Sequence, residues 1–120
     1  MIDVTALAEE HLSLARQSAH GRSAHTYLDE GTLRQAIIAL TAGTALGEHD
    51  APPAASLHVL SGRVRLVDGV PADGSGAGQA AGQGTALDAG QVAPIPQRRH
   101  SLEADEDSVV ILTSVVNITV

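Results

Sequence analysis

What most limits the possible folds of this chain is a succession of short apolar runs divided by turn residues. The runs are Ala24–Leu28, Leu33–Leu40, Leu57–Leu60, Val64–Val67, Val92–Ile95 and Ser108–Val120. Between them lie Asp29-Glu30-Gly31, Ala42-Gly43, Asp50–Pro53, Ser61-Gly62, Asp68-Gly69, Asp88-Ala89-Gly90 and Glu103–Asp107. Strand-length runs with turn signals at such modest spacing predict an all-β sandwich or barrel. Val109–Thr113 is β-branched and apolar on both phases, so it reads as a central strand. Phe and Trp are absent and Tyr27 is the one aromatic of the three types, so Val, Leu, Ile and Ala must fill the interior. That suits a small barrel with a narrow inner face. At 120 residues with 43% hydrophobic side chains, the chain is one domain able to bury a core.

A different period opens the sequence. Over residues 5–18 a helical spacing puts Val4, Leu7, Ala8, Leu12 and Ala15 on one face, with Glu9, Glu10, Ser13 and Arg16 elsewhere. Asp3 or Thr5 can cap its start, Glu9 and Glu10 are expected in the first turns, and Gly21 supplies a stop. A helix this short must dock its apolar face. Residues 1–22 are therefore expected to pack on the outside of a barrel formed by 23–120. The Gly/Ala-rich tract at 69–86 cannot fill a core and reads as a flexible loop. Gly76-Ala77-Gly78-Gln79-Ala80-Ala81 matches a dinucleotide-binding pattern by letter, but no helical period follows it.

Charge and composition remove whole classes of partner. The net charge is −7 and there is no Lys, so the footprint that attracts a phosphate backbone is missing and no nucleic-acid partner is expected. Zero Cys excludes disulfides, thiolate metal sites and Cys nucleophiles. No signal peptide and no membrane-length apolar stretch is visible, so the expectation is a cytoplasmic domain with no membrane partner. No nucleophile elbow surrounds any Ser, and adjacent strand residues such as His100 and Ser101 face opposite ways.

Two stretches carry the functional signal. Gly43 is followed after five residues by His49; Ala51 and Ala55 come next, and six residues later Gly62 closes the stretch. Downstream, Gly90 is followed after five residues by Pro96 and then by His100. Together these resemble the paired signatures of the cupin family, over roughly residues 33–116. The resemblance implies a double-stranded β-helix (jelly-roll) barrel with a short N-terminal helix, often a homodimer, with a pocket at one mouth. In metal-binding cupins, two His and a Glu of the first signature and a His of the second hold a divalent ion. Carried over by position, these give His49 and His100 as metal ligands. Ala51 stands where the second His belongs and Ala55 where the Glu belongs. The Gly between Pro96 and His100 is also replaced, and their spacing is one residue short.

Two imidazoles are fewer than the three protein ligands usual at a catalytic zinc or the four at a structural one, so Zn, Fe, Mn or Ni is expected to bind weakly. Glu48 and Asp50 flank His49 on the opposite strand phase. His25, on the first strand, is the possible third ligand. His58 points away from the Ala55 phase, and His11 and His20 read as solvated or capping. Alternation turns one of Arg34 and Gln35 inwards, and the pocket is assigned to Gln35, Ile37, Ala51, Ala55, Val59 and His100. Arg98 or Arg99 could anchor an anionic group, although loop arginines on an acidic chain are more simply solvated. Glu103–Asp107 reads as a solvated hairpin tip that discourages edge pairing. The expected function is small-molecule binding or sensing around a weakened metal site. The alternatives are a metal-dependent oxygenase or isomerase using His49 and His100, and a purely structural dimer.

Overall fold

The structure is a computed structural model that describes residues 1–49, 54–68, 84–95 and 100–116, with backbone alone at 47–49 and 68. The tract at 69–83, Ala51 and Gln97–Arg99 therefore lie outside the described residues; Gly84–Ala86, expected in the loop, open a strand.

Helix α1 spans Val4–Gln17, and Asp3 caps it by accepting the Ala6 N–H at 3.1 Å. No acidic residue lies in the first turn; Glu9 and Glu10 fall later, and Arg16 stands in the last turn. Among the described residues nine strands follow: β1 (Arg22–Glu30), β2 (Leu33–Leu40), β3 (Ala45–His49), β4 (Ala54–Ser61), β5 (Arg63–Asp68), β6 (Gly84–Asp88), β7 (Val92–Pro94), β8 (His100–Ala104) and β9 (Ser108–Val115). They form two antiparallel sheets, ordered β1-β2-β9-β4-β7 and β3-β8-β5-β6. The fold is an all-β jelly roll with one short N-terminal helix. Strand β9, the β-branched run, lies at the centre of the larger sheet as its two apolar phases require.

Those two phases bury against different partners. Ile38, Leu40, Leu57, Val59, Val110 and Leu102 belong to the cluster between the sheets. Ile37, Ala39 and Val109, one residue out of step, pack with Ala15, Leu7, Ala8 and Leu12 of the helix. The larger sheet is thus covered on both faces along β2 and β9, which explains their near-continuous hydrophobicity. Without aromatic bulk, each layer is thin and is filled by branched aliphatics in few rotamers.

The helix–sheet seam also holds polar groups. His11, expected to be solvated, is buried; its Nδ1 lies 2.7 Å from Ser23 Oγ, and its ring stacks on His25 with centroids 5.8 Å apart. Glu103–Asp107 is likewise more than a solvated tip. Asp107 meets Arg16 at 2.9 Å, and Glu103 and Asp105 meet Arg65 at 3.2 and 3.3 Å. Among the described residues no helix is long and apolar enough to cross a membrane.

Candidate functional site

His100 opens β8, and alternation through Leu102 and Ala104 sets it on the phase that enters the inter-sheet core. It is 2% exposed, one of few polar side chains so deeply buried here. Its neighbours around a cavity of about 30 Å³ are Ile38, Leu46, Leu57, Leu66, Ile95, Leu102 and Leu112. Those seven side chains are aliphatic, so among the described residues His100 is the one that brings a hydrogen-bonding or coordinating group to this cavity. A volume of that order holds a water molecule or two rather than an organic ligand. Anything larger must sit outward of His100, toward the barrel mouth.

The strand register supplies what surrounds His100. On one side, β3 pairs with β8 so that Ala45 faces Glu103, Leu46 faces Leu102 and His49 faces His100. Two residues lie between Leu46 and His49, while one lies between His100 and Leu102; a bulge absorbs the difference. Strict alternation would count Leu46 and His49 onto opposite phases. The bulge returns His49 to the row of His100, a common use of bulges beside functional positions. On the other side, β5 pairs with β8, matching Val64 to Ala104, Leu66 to Leu102 and Asp68 to His100. A single row across three strands therefore reads His49, His100, Asp68.

Other expected site residues fall elsewhere. Ile37 sits against the helix, because the inward phase of β2 is the one carrying Ile38 and Leu40. Gln35 shares Ile37's phase and donates to Thr113 Oγ1 at 3.0 Å across the sheet. Both leave the pocket assignment. Val59 is fully buried in the core and Ala55 packs against it, but neither borders the cavity. His25 cannot be a third ligand beside His100: it pairs with Ile37 in β1–β2 and stacks on His11, on the helix side of the larger sheet. A whole sheet separates the two imidazoles. Ala51 lies outside the described residues.

Asp68, which with Gly69 reads as a turn in the sequence, continues the two-residue period of Val64 and Leu66 and ends β5. That period was the available signal. Among the side chains described, no three of His, Asp or Glu gather where they could hold a metal ion.

No protein-family model matches the chain, and no curated protein matches it. Solved structures do. A cupin-2 domain containing protein from Shewanella frigidimarina matches over 96% of this chain and 94% of its own, at 14% identity and a TM-score of 0.63. A conserved protein of unknown function from Streptococcus pyogenes matches over 85% of this chain and 80% of its own, at 20% identity and a TM-score of 0.65. Salicylate 1,2-dioxygenase from Pseudaminobacter salicylatoxidans gives a TM-score of 0.71 at 19% identity over 92% of this chain, which spans about a third (33%) of that enzyme. At such identities the likeness is one of fold, and the fold is that of the cupins.

Proposed function

We propose that this cupin-fold chain binds a small molecule at the barrel mouth, around a reduced divalent-metal site built on His49 and His100. The observation that carries the reading is the burial of His100 among aliphatic side chains, with His49 as its register partner. Two imidazoles on one row of a sheet are the donor type that first-row divalent metals accept, and the family resemblance puts both at ligand positions. The donor chemistry suits Zn, Fe, Mn or Ni, which accept imidazole nitrogen. When bound, such an ion supplies Lewis-acid polarisation of a ligand oxygen.

The chain's own contribution is to bind, orient and exclude water. Leu46, Leu57, Leu66 and Leu102 line the cavity beside His100 on its core side, and in this reading a ligand enters from the barrel mouth. The small floor cavity keeps bulk water off the imidazole and strengthens its hydrogen bond or coordination to whatever arrives. We place the protein in the cytoplasm as a homodimer, without nucleic-acid or membrane partners, on its acidity and its fold relatives.

The reading is tested by titrating chelator-treated protein with Zn(II) in competition with a chromophoric chelator. One equivalent should bind to the wild type, and H49A and H100A should each weaken it by at least about tenfold. Folded wild-type protein that takes up no Zn(II), Mn(II), Fe(II) or Ni(II) overturns the metal site. A metabolite screen by thermal shift then addresses the mouth, since a ligand that prefers the folded state raises the melting temperature.

A further inference from the structure

Among the described residues each sheet ends in two free edges, β1 and β7 in the larger and β3 and β6 in the smaller. Three of these are short, at 3 residues for β7 and 5 each for β3 and β6, while β1 runs for 9. One bond at the start of β1 shows which of its groups face outward. The Thr41 N–H donates to the Gly21 carbonyl at 2.9 Å, so Gly21 faces the β2 side. Alternation then turns the N–H and C=O of Arg22, Ala24 and Thr26 away from β2. Among the described residues no strand pairs with them there. An edge of this length is a template for another strand, and β1 carries neither Pro nor Lys to blunt it. Its bulge, between Thr26 and Leu28, leaves Arg22–Thr26 regular.

The charges on β1 indicate which strand fits. Arg16, Arg34, Arg63 and Arg65 each meet a carboxylate of their own chain. Arg22, exposed at one end of β1, meets none among the described residues, and Glu30, exposed at the other end, meets no cation. Two antiparallel copies of β1 bring Arg22 of each to the Asp29-Glu30 end of the other, whereas parallel copies set like charge on like. We propose that β1 pairs antiparallel with β1 of a second copy, about a two-fold axis near His25, and joins the two larger sheets into one. The ladder supplies the affinity; the charges fix direction and register. Such an axis runs perpendicular to the sheet, so both α1 helices lie on the same face. On that face a groove of about 350 Å³ separates the start of the helix from β1, with Ile2, Leu7, Glu10, His25 and Tyr27 among its walls. No residue of β2 borders it, so it opens past the free edge, where the partner's helix covers it. Ile2, 45% exposed in the single chain, is then enclosed.

The proposal rests on the homodimer inferred above and names the surface that forms it; the metal site takes no part. Sedimentation equilibrium over a concentration series reads the dimer affinity. The wild type should dimerise, and R22E and E30R should each weaken the dimer by at least about tenfold, because each sets like charges together at both ends of the pair. Neither change breaks an ion pair within one chain. Mixing the two variants should restore association, as a heterodimer in native mass spectrometry, since every charge then meets its opposite. A24P removes an outward N–H without touching the β2 ladder, and should be monomeric with a wild-type circular dichroism spectrum. Should A24P not fold, the charge exchange, which alters only exposed side chains, decides alone. If the wild type dimerises while R22E and E30R keep its affinity, or if their mixture does not re-associate, the pairing of β1 is overturned and the homodimer forms elsewhere. A wild type that is monomeric throughout the series removes both the pairing and the homodimer.

Discussion

At the scale of single residues, the sharpest constraint outside the site is Gly62, which joins β4 to β5 at φ +86°. A Cβ there would collide with Ser108 Oγ and the Asp107 carbonyl. Ser108 cannot give way cheaply, because it is buried, accepts the Arg63 N–H at 3.0 Å and donates to the Glu106 carbonyl at 2.7 Å. G62A combines a left-handed strain with an overpacked contact, and should cost about 2–4 kcal/mol in urea denaturation. His11 is a second sensitive position. Removing its imidazole leaves Ser23 without that bond and opens the helix seam, so H11A should cost about 1–3 kcal/mol by the same measurement. His11 was illegible in the sequence because one helical His among polar neighbours carries no mark of burial. His100 was legible, since the spacing from Gly90 and Pro96 singled it out. Asp68 was hidden by its neighbour: Asp-Gly reads as a turn until the pairing register shows that the strand includes the Asp.

At the scale of elements, alternation predicted β2 to the residue and correctly set Ala55 and His58 on opposite phases of β4. It failed to detect β3 and β6, whose Gly and polar content resembles loop, and it could not foresee the bulge that brings His49 into register. Bulges follow from the pairing of two strands, and neither strand alone encodes them. The elements are also tied by charge at one corner. Asp107, between β8 and β9, accepts the Ala42 N–H at 2.9 Å and pairs with Arg16 of the helix at 2.9 Å. The Ala42 hydrogen bond, followed by Arg16, holds this carboxyl below its ordinary 3.8. A depressed carboxylate contributes stability in full above its unfolded value and loses it as pH falls through the lowered folded one. Stability measured against pH should therefore decline more steeply below about pH 4 in the wild type than in D107N, with the two curves converging at the acid end. Parallel curves would show that the corner contributes nothing through its charge.

At the scale of the whole molecule, the absence of large aromatics explains why the helix is needed. Ile37, Ala39 and Val109 are at most 1% exposed, and α1 packs over all three. Truncating residues 1–20 should uncover this apolar face, giving strong binding of a hydrophobic dye and loss of monodispersity in size-exclusion chromatography. A truncated chain that stays monodisperse and dye-silent would mean that the barrel is complete without its helix. The barrel itself was readable because turn spacing and the two signatures agree; the site was readable only in part, because two of the four positions that carry ligands in the resembling signatures are alanine. The central claim is that the row through His100 holds a divalent ion. Crystals grown with Zn(II) and measured on both sides of the zinc absorption edge test it directly. The account predicts an anomalous peak about 2.0–2.1 Å from an imidazole nitrogen of His100; a clean map there, with zinc elsewhere or nowhere, contradicts it.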